Sequence, residues 1–221
     1  VLNPRSITPE IFHEMAPSGV YETHQLLWQL FPNSPEATRD FLYRLDESRR
    51  GLSIYLVSRR EPRTNGLPWR IETKQYDPKL KNGQILRFSL RANPVVTRPS
   101  PGGKRRLRHD VIMDEKHRQR QNSDENQTIV DQKLVAKAGY DWLVQRSEKN
   151  GFLVRSEDVF VFSYRQHRLK KPGRKSSIRY SSIDYHGRLT VSDPELFIRT
   201  LFKGIGRSKA FGCGLMLVKR A

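Results

Sequence analysis

Between Val20 and Phe31 the apolar positions Val20, Leu27 and Phe31 recur near the helical period, and His24 and Trp28 keep the same spacing. The pattern predicts a helix over residues 21–31. Pro32, which has no N–H to give to a helix, stops it. The pattern then changes. Phe41-Leu42-Tyr43-Arg44-Leu45 and Leu52-Ser53-Ile54-Tyr55-Leu56-Val57 are rich in aromatic and branched side chains. They flank a polar Asp46-Glu47-Ser48-Arg49-Arg50-Gly51 turn, which predicts a β-hairpin. Residues 84–96 contain Ile85, Phe88, Leu90 and Ala92 and predict a third strand, ended by Pro94 or soon after. The chain begins at Val rather than Met, so we expect an incomplete first strand ahead of the helix.

A Pro/Gly loop at residues 99–103 marks the expected boundary between two units, 1–98 and 99–221. Beyond it, residues 104–112 predict a short basic strand and residues 113–127 a polar, mobile loop. Residues 129–149 carry the clearest helical pattern. Val130, Leu134, Ala138 and Trp142 fall four apart with Val135 beside them, and Gly151 closes the run. Strands are expected over 158–164 and 179–185, with 189–191 extending or following the second. A helix over 193–203 and a strand over 215–219 complete the chain. The second half therefore reads in the βαββαβ order of a ferredoxin-like unit, and the first half as a truncated or degenerate copy. The expected fold class is α+β, two tandem ferredoxin-like (RRM-like) βαββαβ domains.

Charge narrows the partner. Lys and Arg number 41 against 23 Asp and Glu, a formal charge of +18, which favours a polyanion. The charge is clustered. Arg165, Arg168, Lys170, Lys171, Arg174, Lys175 and Arg179 occupy one stretch without an acid, and residues 98–120 hold eight basic residues against Asp110, Asp114 and Glu115. These stretches contain Pro or Gly and lack an apolar stripe, which excludes a basic amphipathic membrane helix. No apolar run approaches a membrane span, and no apolar leader segment is visible. Cys213 is the only cysteine, so no intrachain disulfide is possible and a cytoplasmic setting fits.

Near the C-terminus, Gly204, Gly206, Gly212 and Gly214 lie within eleven residues, interleaved with Arg207, Ser208 and Lys209. A Walker loop is excluded because Gly212 is followed by Cys213 and Gly214, and a dinucleotide fingerprint because position 209 is Lys. The loop follows a predicted helix C-terminus, where the macrodipole repels anions. Any grip on phosphate must then come from loop amides, Arg207 and Lys209. The loop reads equally well as a tight entry into the last strand.

Four motifs carry a family resemblance. They are Tyr21-Glu22-Thr23-His24-Gln25-Leu26-Leu27-Trp28-Gln29-Leu30-Phe31-Pro32, Arg39-Asp40-Phe41-Leu42, Leu90-Arg91-Ala92-Asn93-Pro94 and the glycine loop. In this order they resemble the CasE family of CRISPR repeat-processing endoribonucleases of type I-E systems, within the RAMP superfamily. The resemblance implies two ferredoxin-like domains in tandem. It implies cleavage of the repeat hairpin in precursor CRISPR RNA without metal or cofactor. It also implies retention of the product's 3′ hairpin as a subunit of the Cascade complex, next to other Cascade subunits, with target DNA met only through the complex. Residues 98–127 match no part of the family pattern.

The same resemblance makes His24 the catalytic histidine and Tyr21 its helper. Their spacing of three places both on one helix face. Histidine, with an ordinary pKa of about 6.5, suits a proton shuttle at neutral pH. Tyr21 suits a positioning donor better than an unaided base. Which of the two contacts the attacking 2′-OH stays open. Arg207 or Lys209 would neutralise phosphate charge. On spacing alone, His24 beside Trp28 is more often a satisfied, half-buried side chain. The stretch from Arg165 to Arg179 reads as a basic β-hairpin gripping an RNA stem, its tip near Lys171-Pro172-Gly173-Arg174, or else as a solvated hairpin loop. His109, Asp110, Asp114 and His117 form the one metal-like cluster, in a charged segment read as solvated. His13, His167 and His186 show no partner pattern. Two further readings stand beside this one: a non-catalytic RNA-binding module, and a metal-dependent nuclease that chelators would silence.

Overall fold

The computed structural model describes residues 20–31, 39–48, 51–63, 71–100, 103, 105–122, 131–170 and 177–221. Helix α1 (Val20–Gln29) is followed by a hairpin of β1 (Phe41–Ser48) and β2 (Gly51–Ser58). The two strands pair in register from Phe41↔Ser58 to Ser48↔Gly51, so both run further into the polar turn than their apolar residues mark. Their apolar faces close over α1. Leu27, Leu30, Phe31, Phe41, Tyr43 and Ile54 form one core, with the Phe31 and Phe41 rings stacked at 5.1 Å.

Strand β3 (Ile85–Ala92) alternates cleanly. Leu86, Phe88, Leu90 and Ala92 are buried and the residues between them face the other way. The sequence groups this strand with the first half. In hydrogen bonding it belongs with the second, pairing with β8 (Ser177–Val191) on one edge and β9 (Met216–Arg220) on the other. β7 (Val159–Lys170) pairs with the lower part of β8, and the short β6 (Phe152–Leu153) with its upper end. With α3 (Gln132–Ser147) and α4 (Pro194–Lys203), the order β3-α3-β7-β8-α4-β9 is a ferredoxin-like unit. Its first strand is β3, not residues 104–112. Those residues supply β5 (Arg106–Asp110), which pairs with β4 (Val95–Pro99) in a separate hairpin. The expected boundary at 99–103 therefore falls between two strands that pair with each other; residues 101 and 102 lie outside the described residues.

Residues 113–127, expected as a loop, contribute instead to helix α2 (Val111–Asn122). No apolar stripe announces it. Its start is fixed by Asp110, whose Oδ1 accepts from the amides of Ile112 and Met113 at 2.8 and 3.0 Å. Ile112 is fully buried, and Arg98 from β4 pairs with Asp114 at 2.8 Å. Residues 123–127 lie outside the described residues.

Helix α3 begins at an N-cap, Asp131, and runs through a 3₁₀ turn to Gly151, whose φ of 79° ends it. It lies close on the sheet because Gly139 has no Cβ; one would sit 2.6 Å from Val161 Cγ1. Tyr185, buried in the sheet, donates its hydroxyl to the Gly139 carbonyl at 3.1 Å. Trp142, Leu143, Phe152, Ile183 and Phe197 fill the core around it. The two halves are joined by arginines on the outer face of β3 and on β1. Arg91 donates to both Asp184 oxygens at 2.7 and 3.0 Å and to the Leu45 carbonyl at 2.9 Å. Arg44 donates to Ser89 Oγ at 2.6 Å. Among the described residues no helix is long and apolar enough to cross a membrane.

Candidate active site

Helix α1 holds His24 against the inner end of β1. The imidazole lies among Trp28, Phe41 and Tyr43, with ring centroids 6.2, 6.1 and 6.4 Å away. Its Nε2 is buried and has no hydrogen-bond partner among the described residues. Burial, and then the charge of Arg39, hold its pKa below the ordinary histidine value. A neutral ring with an unsatisfied nitrogen is thus the resting form near pH 7. Tyr21 stands one turn earlier on the same helix; its side chain lies outside the described residues.

The glycine loop closes against this helix. Gly204, Gly206, Gly212 and Gly214 take φ of 74, 78, 75 and 96°, and Ser208 takes 55°. The loop's hydrogen bonds run inward. Gly204 donates to the Thr200 carbonyl, Ile205 to Gly214, Gly214 to Arg91 in β3, and both Phe211 and Cys213 to Ser208. Gly204 is packed so closely that a Cβ would lie 2.8 Å from Leu42 Cδ1 and 2.9 Å from the Gly214 carbonyl oxygen. Five amides are therefore committed within the fold. The loop is a tight strand entry whose turn presents side chains; those amides do not form a phosphate cradle. Asn93 from the Leu90-Arg91-Ala92-Asn93-Pro94 motif fixes it, donating to Ser208 Oγ at 2.5 Å and bridging to Arg207.

Its single 3₁₀ turn, Lys209–Phe211, meets α1 and β1. The Tyr43 hydroxyl donates to the Ala210 carbonyl at 2.8 Å, and burial drives that hydroxyl's pKa far above its ordinary value. The two loop cations separate. Arg207 is exposed. Lys209 is half-buried and donates to the Lys203 carbonyl at 2.7 Å, at the C-terminal end of α4 where the dipole favours a cation. Burial first, then the charges of Arg39 and Lys203, lower the Lys209 pKa. The neutral, aromatic-lined His24 and the cation Lys209 thus both feel the charge of Arg39.

The basic hairpin rises from the same side. Arg165 and Arg168 are exposed on β7. Lys170 closes that strand and its side chain lies outside the described residues, as do Lys171, Arg174 and Lys175 altogether. At the hairpin's base, His167 stacks on Tyr180 at 4.4 Å, and Tyr180 on Phe211 of the glycine loop at 5.0 Å. His167 Nε2 also meets Ser182 Oγ at 2.8 Å. His167, which shows no partner in the sequence, is therefore a link between hairpin and loop. His186 packs edge-on against Phe162 at 5.0 Å, and His13 lies outside the described residues.

The metal-like cluster is dispersed. Asp110 caps α2, and Asp114 is held by Arg98, with Arg118 at 3.7 Å. Among the described residues no group of three or more His, Cys, Asp and Glu side chains is placed to hold a metal ion. Cys213 is buried, with its thiol pushed up to about 12, as suits a packing residue. Sequence reasoning passed over Arg39 and Tyr43. Arg39 lay in a motif used only for resemblance, and Tyr43 in a run read only as a strand.

A family model described as CRISPR associated protein matches residues 1–220. The CRISPR system Cascade subunit CasE of Escherichia coli (strain K12) is 33% identical over 199 residues, covering 89% of this chain and 90% of that protein. The CRISPR-associated endoribonuclease Cse3 of Thermus thermophilus is 29% identical over 234 residues, covering 99% and 96%. Among solved structures, CRISPR endoribonuclease Cse3 bound to 19 nt RNA matches with a TM-score of 0.69 at 27% identity, covering 99% of this chain and 97% of that one. The CRISPR-associated protein Cas6e from Escherichia coli K-12 matches at 0.63 and 28%, covering 93% and 95%. The α+β fold with its antiparallel sheets matches these structures, and the tandem ferredoxin-like arrangement agrees with them. With a family model spanning nearly its whole length and the motifs around His24, β3 and the glycine loop in place, the chain belongs to the CRISPR-associated protein family represented by CasE and Cse3.

Proposed function

We propose that this chain is an endoribonuclease that cuts the repeat hairpin of precursor CRISPR RNA and stays on the 3′ hairpin of its product as a Cascade subunit. The observation that carries the reading is the unpartnered, buried Nε2 of His24 beside the charge of Arg39, in a chain whose relatives are named as an endoribonuclease and a Cascade subunit. Its work is with CRISPR RNA and neighbouring Cascade subunits in the cytoplasm, and with target DNA only through the complex.

The reaction needs no group that the chain lacks. The RNA's 2′-oxygen attacks the adjacent phosphorus while its proton passes to a base. The bond from phosphorus to the 5′-oxygen breaks, and that oxygen takes a proton. The products are a 2′,3′-cyclic phosphate and a 5′-OH. A histidine held neutral by burial and by Arg39 is suited to accept the first proton. Tyr21, one helical turn away, would orient the attacking hydroxyl. Arg165, Arg168, Lys170, Lys171, Arg174 and Lys175 would hold the stem phosphates, with Arg207 extending that surface. Ser208 and the four glycines would set the loop's shape. Lys209 would add charge from behind, anchored to the end of α4. We place the division between the two units ahead of Ile85, so that β3 opens the second. Incubating the protein with a labelled repeat hairpin in EDTA tests the reading: a 5′-OH product is expected, and an intact hairpin would overturn it.

A further inference from the structure

Arg39 stands at the entry to β1, two residues before Phe41, whose ring faces His24 at 6.1 Å. Its side chain is half-buried, and its Nε is fully buried without a hydrogen-bond partner among the described residues. Leaving a guanidinium N–H buried and unmade costs free energy, so its persistence needs a reason. The neighbouring Asp40 offers no relief, because its carboxylate is taken by Arg60 at 2.6 and 2.8 Å. A second buried nitrogen, Nε2 of His24, is unpartnered in the same corner. The other cation there, Lys209, already donates a hydrogen bond to the Lys203 carbonyl. Two unpartnered donors or acceptors and an uncompensated positive field, beside a turn that meets α1, define a place made for an oxyanion.

We infer that Arg39 is a catalytic residue of this site, its guanidinium binding a non-bridging oxygen of the phosphate at which the RNA is cut. A planar guanidinium gives parallel bonds to phosphate oxygens that an ammonium cannot reproduce. As the 2′-oxygen closes on phosphorus, negative charge gathers on the non-bridging oxygens, and a cation already fixed there stabilises that state without reorganising. Burial, and then the same charge, hold the His24 pKa below its ordinary value, so one side chain serves the phosphate and helps the base. Lys209, anchored at the α4 terminus, is a positioning residue in this arrangement. The inference rests on the endoribonuclease reading above.

Single-turnover cleavage of a repeat hairpin tests it, using all-oxygen RNA and the two phosphorothioate diastereomers at the cut site. Arg39→Ala is expected to slow cutting by about 10²–10³, in line with the loss of one oxyanion donor. It should also erase the wild-type preference between diastereomers and recover in part with added guanidinium ion. Affinity for a 2′-deoxy hairpin should change less than threefold. Arg39→Lys, which keeps charge and loses the fork, should cut slowly with an altered preference. If Arg39→Ala does not fold, the Lys variant carries the same decision through that preference. Failure of the wild type to cut at all would remove the endoribonuclease reading itself. Wild-type cutting with an unimpaired Arg39→Ala would remove this inference alone. A slow variant with unchanged diastereomer preference and no guanidinium rescue would make Arg39 merely structural and overturn it too.

Discussion

Replacing Arg91 with Met keeps most of the aliphatic stem and removes both an ion pair within the second unit's sheet and that sheet's bond to β1. Arg91 makes three charge-assisted bonds, two to Asp184 on β8 and one to the Leu45 carbonyl on β1. Its side chain is 29% exposed and that of Asp184 11%. Breaking a fully buried pair by deleting one partner costs about 3–5 kcal/mol. Water reaching the guanidinium screens part of this, so about 2–3 kcal/mol is expected here. For a chain of this size that is a fall in Tm of about 4–12 °C. Urea unfolding of Arg91→Met, Asp184→Asn and the double variant should give a coupling of about 1–2 kcal/mol. The loss should also reach the site, because β1 carries Tyr43, whose hydroxyl holds the Ala210 carbonyl of the glycine loop. A loss below about 0.5 kcal/mol with no coupling would refute the anchoring role of this pair.

His24→Ala should lower the single-turnover rate by about 10²–10⁴ while hairpin affinity stays nearly constant; an unchanged rate would move the chemistry elsewhere. With His24 acting as base, the rate should rise with pH and level off, its midpoint below the ordinary histidine value because burial and Arg39 favour the neutral ring; a rate that instead falls with rising pH through that range would assign His24 as the acid. Gly204→Ala should cost about 1–3 kcal/mol from its positive φ alone, measured by thermal melting, with the contacts to Leu42 and Gly214 adding to it. Removing Arg165 and Arg168 together should flatten the salt dependence of stem binding by about 1.4–1.8, at about 0.7–0.9 per phosphate contact, as read by filter binding across a salt series.

Local patterns that also carried local structure were legible. Helix α1, the pairing of β1 with β2, and α3 follow from apolar spacing, and α4 lies within the expected 193–203. Non-local facts were not. β3 is next in the chain to the first hairpin, but its hydrogen bonds go to strands much later in the chain, from Ala92↔Ile183 to Leu86↔Arg220, which no periodicity reveals. Helix α2 lacks an amphipathic signal because Asp110, Ile112 and the Arg98–Asp114 pair hold it in place of a stripe. The glycine loop was singled out, yet five of its amides are committed within the fold, two of them to the Thr200 and Arg91 carbonyls of other elements. His24 was singled out as a candidate by the motif around it. Arg39 was not, since only the fold shows that its Nε is buried and unpaired.

The central claim is most directly tested by one comparison in EDTA: the all-ribose repeat hairpin against the same hairpin with a single 2′-deoxy at the cut site, each held by saturating protein. The account predicts that the first yields a 5′-OH fragment and a cyclic phosphate, with the 3′ hairpin remaining bound. It predicts that the second is bound as tightly and left whole. Cleavage of the 2′-deoxy hairpin, or cleavage of either only when divalent metal is restored, would contradict it.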